Sequence, residues 1–218
     1  MFYLLLTAGI LKGDDTLICA TFIPYNTRYI VEEILREQIE KIVKLTDEEF
    51  RFVLSHFKIK AFKKHQYVLQ AGNPAPNDHF VVKGLLKSFY LDEAGKTHIL
   101  QFAMEDWWIS DPQAYHNGVN ATLNIDCLED TQTYTISLEN REKLCAESRK
   151  MEFFFRKKTQ SGYIALQKRI QSLMSQTAKE RYDQFILLYP QLSQRLPKAL
   201  IASYLGISRE TLSRMADH

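Results

Sequence analysis

The residues with most chemistry to offer stand near the end of the chain, in the segment LPKALIASYLGISRETLSRMADH. Arg209, Glu210, Ser213 and Arg214 fall on one side of a short helical pattern, and Leu212 and Met215 on the other. Gly206 precedes them and tolerates the positive φ of a sharp turn. Ser208 stands where a helix N-cap belongs, with Thr211 three residues on. Ahead of the turn, Ile201, Ala202 and Leu205 give a first helix its apolar face, Pro197 suits that helix's first turn, and the small Ala202 lets two helices approach. Small, glycine and apolar positions in this order are the signature of a helix-turn-helix. An arbitrary corner between two helices reproduces only parts of it.

The charge distribution agrees. A net charge of +2 conceals an acidic part, residues 1–142, with 14 Lys/Arg against 20 Asp/Glu, and a basic part, residues 143–218, with 14 against 6. A basic C-terminal part points to a polyanionic partner, with a solvated helical face as the alternative. Other chemistries lack their residues. The six histidines show no metal-ligand spacing, and Cys19, Cys127 and Cys145 form no CxxC, zinc or iron–sulfur pattern. Neither GxSxG nor a P-loop occurs, so no cofactor, no metal and no enzymatic activity are expected. Scattered cysteines suit a reducing, cytoplasmic compartment, and no apolar run is long enough to span a membrane. Residues 1–27 lack a basic leader and are interrupted by Asp14 and Asp15; they are read as an N-terminal extension rather than a signal peptide.

These side chains need elements to position them. Ile34, Leu35, Ile39, Ile42 and Val43 recur at helical steps, and Thr46 with Glu49 makes a capping box for a second helix. From 58 to 138 short runs rich in Phe, Tyr, Val and Ile (IKAF, QYVLQ, HFVVKG, LLKSFYL, THILQFA, TLNIDCL, TYTIS) alternate with turn residues, which predicts a β-roll or barrel. Leu138 to Tyr189 has helix composition. Tyr163, Leu166, Ile170 and Leu173 form a narrow seam there, suited to pairing with an identical helix or to packing on the chain's own core. Thr177 and Glu180 cap a further helix, which Pro190 ends.

With these motifs, above all ISRETLSR at 207–214, the chain resembles the Crp/Fnr family of bacterial transcription regulators over about residues 30–218. The resemblance implies an α+β fold: a double-stranded β-roll like a cyclic-nucleotide-binding domain (28–139), a dimerisation helix (140–174) and a C-terminal winged helix-turn-helix (175–218). It implies a homodimer on a palindromic DNA operator, with RNA polymerase and a small-molecule effector as further partners. It places Arg209, Glu210, Ser213 and Arg214 at base edges, where arginine donates twice to guanine and glutamate accepts from cytosine. Lys198 and Ser208 are assigned to phosphates.

The sequence departs from the family pattern twice. The nucleotide site of the family resembles a Gly-Glu pair followed by Arg-Ser or Arg-Ala; here the pairs are Ser110–Asp111 and Ala121–Thr122. With no Lys or Arg from Thr97 to Leu138, a bound phosphate lacks its cationic partner, which argues against cyclic AMP. Trp107, Trp108 and Tyr115 in this stretch either line a pocket for another ligand, together with Ser110, Asp111, Ala121 and Thr122, or fill the core. The second departure is a recognition helix that reads as short, ending at Asp217 and His218. The competing reading is therefore a small-molecule-binding module with a non-functional DNA-binding part. An enzyme on a β-barrel scaffold has no acid/base cluster to support it.

Overall fold

Hydrophobic spacing sets the opening helices. Leu35 and Ile39 share one face of α1 (Tyr25–Glu40) and are fully buried. The Thr46 hydroxyl accepts from the Glu49 N–H at 3.2 Å, and Glu49 Oε2 accepts from the Thr46 N–H at 2.7 Å, which starts α2 (Asp47–Leu54). The structure is a computed structural model that describes residues 25–216. Most of the 1–27 extension, and Asp217 and His218, lie outside the described residues.

The β-rich texture folds as a double-sheet roll. Its strands are β1 (Lys58–Phe62), β2 (Tyr67–Leu69), β3 (Asn77–Lys83), β4 (Leu86–Leu91), β5 (Thr97–Ala103), β6 (Trp108–Ile109), β7 (Asn124–Cys127) and β8 (Thr131–Ser137). One antiparallel sheet has the order β1-β8-β3-β6, the other β2-β7-β4-β5. The period of two sorts each strand between layers. On β3, Phe80 and Val82 face the helices while Val81 faces the space between the sheets, beside Leu86, Ile109, Ile125 and Cys127. Two short elements had no clear sequence signal. β6 is two residues long, and α3 (Pro112–Asn117) begins on Asp111, whose side chain accepts from the Ala114 N–H.

The expected dimerisation unit is not one helix. Ser148, extended at φ −133° and ψ 103°, ends α4 (Leu138–Glu147), and its hydroxyl caps α5 (Arg149–Ser175). Met151, Phe154 and Phe155 of α5 enter the core that α1, α2 and α4 form over the first sheet. The predicted Thr177–Glu180 box opens α6 (Ala178–Leu188). Pro190 both follows that helix and begins α7 (Pro190–Arg195), a helix the sequence reading lacks. Pro197 sits at the N-cap of α8 (Lys198–Leu205), one position before the first turn, and α9 (Arg209–Ala216) follows. Among the described residues no strand follows β8, so the described part of the helix-turn-helix has no wing.

The last four helices pack on the outer face of the second sheet. Phe185, Leu192, Leu196, Ile201, Ala202, Leu205 and Leu212 form one core with Leu85, Phe89, Ile99 and Phe102 of the roll. Polar contacts fix that docking. Arg195 grips two carboxylates of the roll, Glu105 (2.7 and 3.2 Å) and Glu129 (3.0 and 2.7 Å). Burial opposes the charge on Glu105, but the bonds from Arg195 and from the Gly84 N–H outweigh it and hold that carboxyl below its ordinary pKa. Arg169 donates to the carbonyls of Ile99 and Tyr204, and Arg181 to those of Leu205 and Gln176. Three cations of the basic C-terminal part are thus committed inside the molecule, and the charge excess overstates what is available to a polyanion.

Candidate nucleic-acid interface and anion cradle

The turn between α8 and α9 follows the chemistry of its residues. Gly206 ends α8 in the left-handed region at φ 69°, and the Ile207 N–H returns to the Ala202 carbonyl at 3.0 Å. Ser208 Oγ accepts from the Thr211 N–H at 3.1 Å and starts α9. Leu212 is buried against Ala202 and Leu205, which fixes the rotation of α9. That rotation leaves Ser208, Arg209, Glu210 and Arg214 exposed and Ser213 half-buried. The backbone N–H at its own position, and then the Ser208 hydroxyl, hold the Glu210 carboxyl below its usual pKa, so it is ionised at neutral pH. Neither Arg209 nor Arg214 has a hydrogen bond or ion pair among the described residues. Lys198 is exposed at the start of α8. Lys179 lies with Thr211, Arg214 and Met215 around a shallow groove between α6 and α9. Only its position as the second residue after the Thr177 cap could have marked it in the sequence.

The seam residues lie on α5 beyond the part that enters the core. Tyr163, Leu166, Ile170 and Leu173 are all exposed, as are Ile164 and Met174. The Leu173 side chain reaches the turn at Gly206, where an added Cβ would stand 3.6 Å from Leu173 Cδ2.

The seven residues grouped as a pocket are divided among different clusters of the described structure. Trp107 packs edge-on to Tyr189, and Trp108 lies among Phe57, Phe80, Phe154 and Phe155. The Trp108 indole N–H is buried with no partner among the described residues. Tyr115 is buried, its hydroxyl donating to the Ile136 carbonyl, and burial raises its pKa. Ala121 packs with Ala75 and Ala114. These side chains fill cores, the alternative left open by the sequence. Ser110 instead hydrogen-bonds Asp78, whose buried carboxyl is pushed up to about 6 by desolvation against the pull of Arg141. A cavity of about 150 Å³ opens elsewhere, between β1 and β2, lined by Phe62, Leu69, Ala75, His79 and Ile125 among others. Burial, aided by the charge on Lys60, lowers the His79 pKa to about 3 and keeps its ring neutral.

Asp111 and Thr122 do meet. Asp111 Oδ1 accepts from the Ala114 N–H at 3.1 Å. Oδ2 accepts from the Thr122 N–H (2.8 Å), the Thr122 hydroxyl (3.1 Å) and the Leu123 N–H (3.1 Å). The residue is 1% exposed. Burial disfavours its charge, yet the backbone donors of Ala114, Thr122 and Leu123 prevail and lower its pKa. The described residues hold no His/Cys/Asp/Glu group suited to a metal and no helix long and apolar enough to cross a membrane.

Comparison with known proteins bears out the resemblance at the level of domain and fold. Residues 59–148 match the family model of the cyclic nucleotide-binding domain. The chain is similar to FixK2 of Bradyrhizobium japonicum, with 20% identity over 74% of this chain and 83% of that one and a TM-score of 0.63. It is also similar to the global regulator CLP of Xanthomonas campestris, described as responsive to c-di-GMP, with 13% identity over 79% and 90% and a TM-score of 0.63. The Catabolite Activator Protein of Thermus thermophilus gives 17% identity over 83% and 85% and a TM-score of 0.53. No curated protein sequence matches the chain. The chain carries a cyclic nucleotide-binding domain fold and shares its wider architecture with Crp/Fnr regulators.

Proposed function

We propose that the chain is a DNA-binding transcriptional regulator that works as a homodimer in the cytoplasm and is not an enzyme. The observation that carries this reading is α9. Its buried side is fixed by Leu212, and its exposed side presents Arg209, Glu210 and Arg214, with neither arginine bound within the described part of the chain. Such a surface meets its hydrogen-bonding needs in a major groove. Arg209 and Arg214 donate to guanine, Glu210 accepts from cytosine and Ser213 lies beside them. Lys198 and Ser208 face phosphates, although the Ser208 oxygen is already partly used as the helix cap. The exposed Tyr163–Leu166–Ile170–Leu173 seam pairs with its copy and places two α9 helices about 34 Å apart, one turn of a palindromic operator. RNA polymerase is a further partner. Residues 28–139 serve as the sensor part, 140–174 as the dimerisation part and 175–218 as the DNA-binding part.

Cyclic AMP is not the effector in this reading. Ala121 stands where the resemblance implies an arginine, and no Lys or Arg lies between Lys96 and Arg141 to meet a phosphate. The cavity beside His79 favours one secondary reading, a small-molecule-binding module whose DNA-binding part is inactive. Fluorescence anisotropy with labelled duplex DNA separates the two. The regulator binds with an affinity that falls steeply with salt, the logarithmic slope being about −0.9 per phosphate contacted. A protein that ignores duplex DNA even at low salt is the binding module. Titration calorimetry with cyclic AMP gives no heat of binding; micromolar affinity would overturn the exclusion.

A further inference from the structure

We infer that Asp111 is the resident ligand of the anion cradle: its carboxylate fills the place an external phosphate would take, so the roll is closed on an anion without an effector. Two consecutive backbone N–H groups, those of Thr122 and Leu123, and the Thr122 hydroxyl converge on the single oxygen Oδ2. Consecutive N–H groups with a hydroxyl beside them form a concavity that selects an anionic oxygen. This one belongs to a domain whose family is named for binding cyclic nucleotides, and the only charge of such a ligand is its phosphate. Here the concavity holds an oxygen eleven residues upstream in the same chain, on a side chain that is 1% exposed.

The surrounding backbone is fastened in the same state. The Gly72 N–H donates to the Ala121 carbonyl, and the Ala121 N–H to the Asn73 carbonyl, both at 2.8 Å. Pro74 and Asn120 form an isolated bridge. The segment before Thr122 is therefore tied to the loop after β2 while Thr122 and Leu123 are tied to Asp111. An incoming phosphate would have to displace a covalently tethered carboxylate at very high effective concentration. The stretch from Thr97 to Asn140, which supplies both Asp111 and the donors, offers no Lys or Arg to accompany it. Resting on the reading as a regulator, the consequence is that DNA affinity does not depend on an anionic nucleotide.

Removing the carboxylate should leave a site of its own shape. Asp111→Ala deletes a COO⁻ group, and formate matches that group atom for atom. The full-length variant is expected to melt about 10 °C below the wild type, because its buried donors lose their acceptor. Formate should raise its Tm by several degrees over chloride at equal ionic strength, while the wild type responds to the two salts alike. Cyclic AMP and inorganic phosphate should leave the wild-type Tm unchanged. Undiminished stability of Asp111→Ala, equal effects of formate and chloride on it, or stabilisation of the wild type by cyclic AMP or phosphate would each overturn the inference. Should the variant fail to fold, amide NMR of the wild type decides. The Thr122 and Leu123 resonances should move with an acid titration whose midpoint lies below the ordinary Asp value, and stay fixed when phosphate is added; movement with phosphate, or none with acid, contradicts self-ligation. Duplex-DNA binding by the wild type, with and without cyclic AMP, is a separate arm. Failure to bind DNA defeats the regulator reading, whereas the formate response still judges the cradle.

Discussion

The two ends of α5 are made from similar residues and meet opposite fates. In its first two turns Met151 and Phe154 are 0% exposed and Phe155 4%, all packed under the first sheet. Three turns later Tyr163 is 70% exposed, Leu166 56%, Ile170 49% and Leu173 44%. Burying a large apolar side chain is worth roughly 1.5–3 kcal/mol. The first end has realised that gain within the chain, and the second has not. The proposed dimer would bury this exposed apolar stripe. Charged groups divide in the same way. Asp111 is met by donors of its own chain, and Arg195 by two carboxylates, while Arg209 and Arg214 are exposed and have no hydrogen bond or ion pair among the described residues.

This contrast is broken most severely by mutating both ends of α5. Phe154→Ala opens a cavity in the core and should lower unfolding stability by about 3–5 kcal/mol in urea titrations. Leu166→Asp with Ile170→Asp should leave the fold of each chain intact but turn dimers into monomers in sedimentation and weaken DNA binding. A wild-type chain that sediments as a monomer at micromolar concentration, or a double variant that unfolds as Phe154→Ala does, would remove the distinction.

Asp78 is the intermediate case, buried but only partly satisfied. Its carboxyl faces Arg141 at 3.5 Å, the His79 N–H, the Ser110 hydroxyl and, further off, Lys158. Desolvation prevails, and the folded-state pKa of about 6 lies above the roughly 3.9 of an unfolded chain. The folded state therefore holds this proton more tightly. Its stabilising contribution is complete below about pH 4 and is lost as pH rises through 6, a change of about 2–3 kcal/mol. Asp78→Asn has no such proton, so wild-type stability minus variant stability should fall between pH 4 and 7. A constant difference would mean that Arg141 and the hydrogen bonds offset the desolvation of Asp78 in full, and a rising one that they hold it below the ordinary value, as the Thr122 cradle holds Asp111.

Sequence reading succeeded where a signal is local. The Thr46–Glu49 and Thr177–Glu180 boxes, the Gly206 turn, the Ser208 cap and the longer strands all rest on neighbours within four residues, and each forms as its residue types dictate. The α9 face was legible for the same reason, since one turn of helix fixes which side Leu212 buries. The departures are tertiary or short. Ser148, extended at φ −133°, breaks a stretch of continuous helix composition, and α4 and α5 both pack on the same core. β6 is too brief for any periodicity. Arg195 finds carboxylates 66 and 90 residues away, and Asp111 finds Thr122 across α3, so neither pairing leaves a pattern in the local sequence. Trp107 and Trp108 look alike in sequence, yet they fall on opposite sides of the first sheet's edge, one toward Tyr189 and the other toward Phe154.

The central claim is that the unsatisfied charges of α9 read bases, and it yields to one binding matrix. A selected palindrome, with every base pair substituted in turn, would be titrated with wild-type protein, Arg209→Ala, Arg214→Ala and Lys198→Ala at fixed salt. Each arginine variant should lose about 1–3 kcal/mol on the preferred site and become indifferent to the base at one position of each half-site. Lys198→Ala should weaken binding to all sites alike and lower the salt slope by about one phosphate. Arginine variants that weaken every site equally, with the wild-type base preferences intact, would contradict the assignment of Arg209 and Arg214 to base reading.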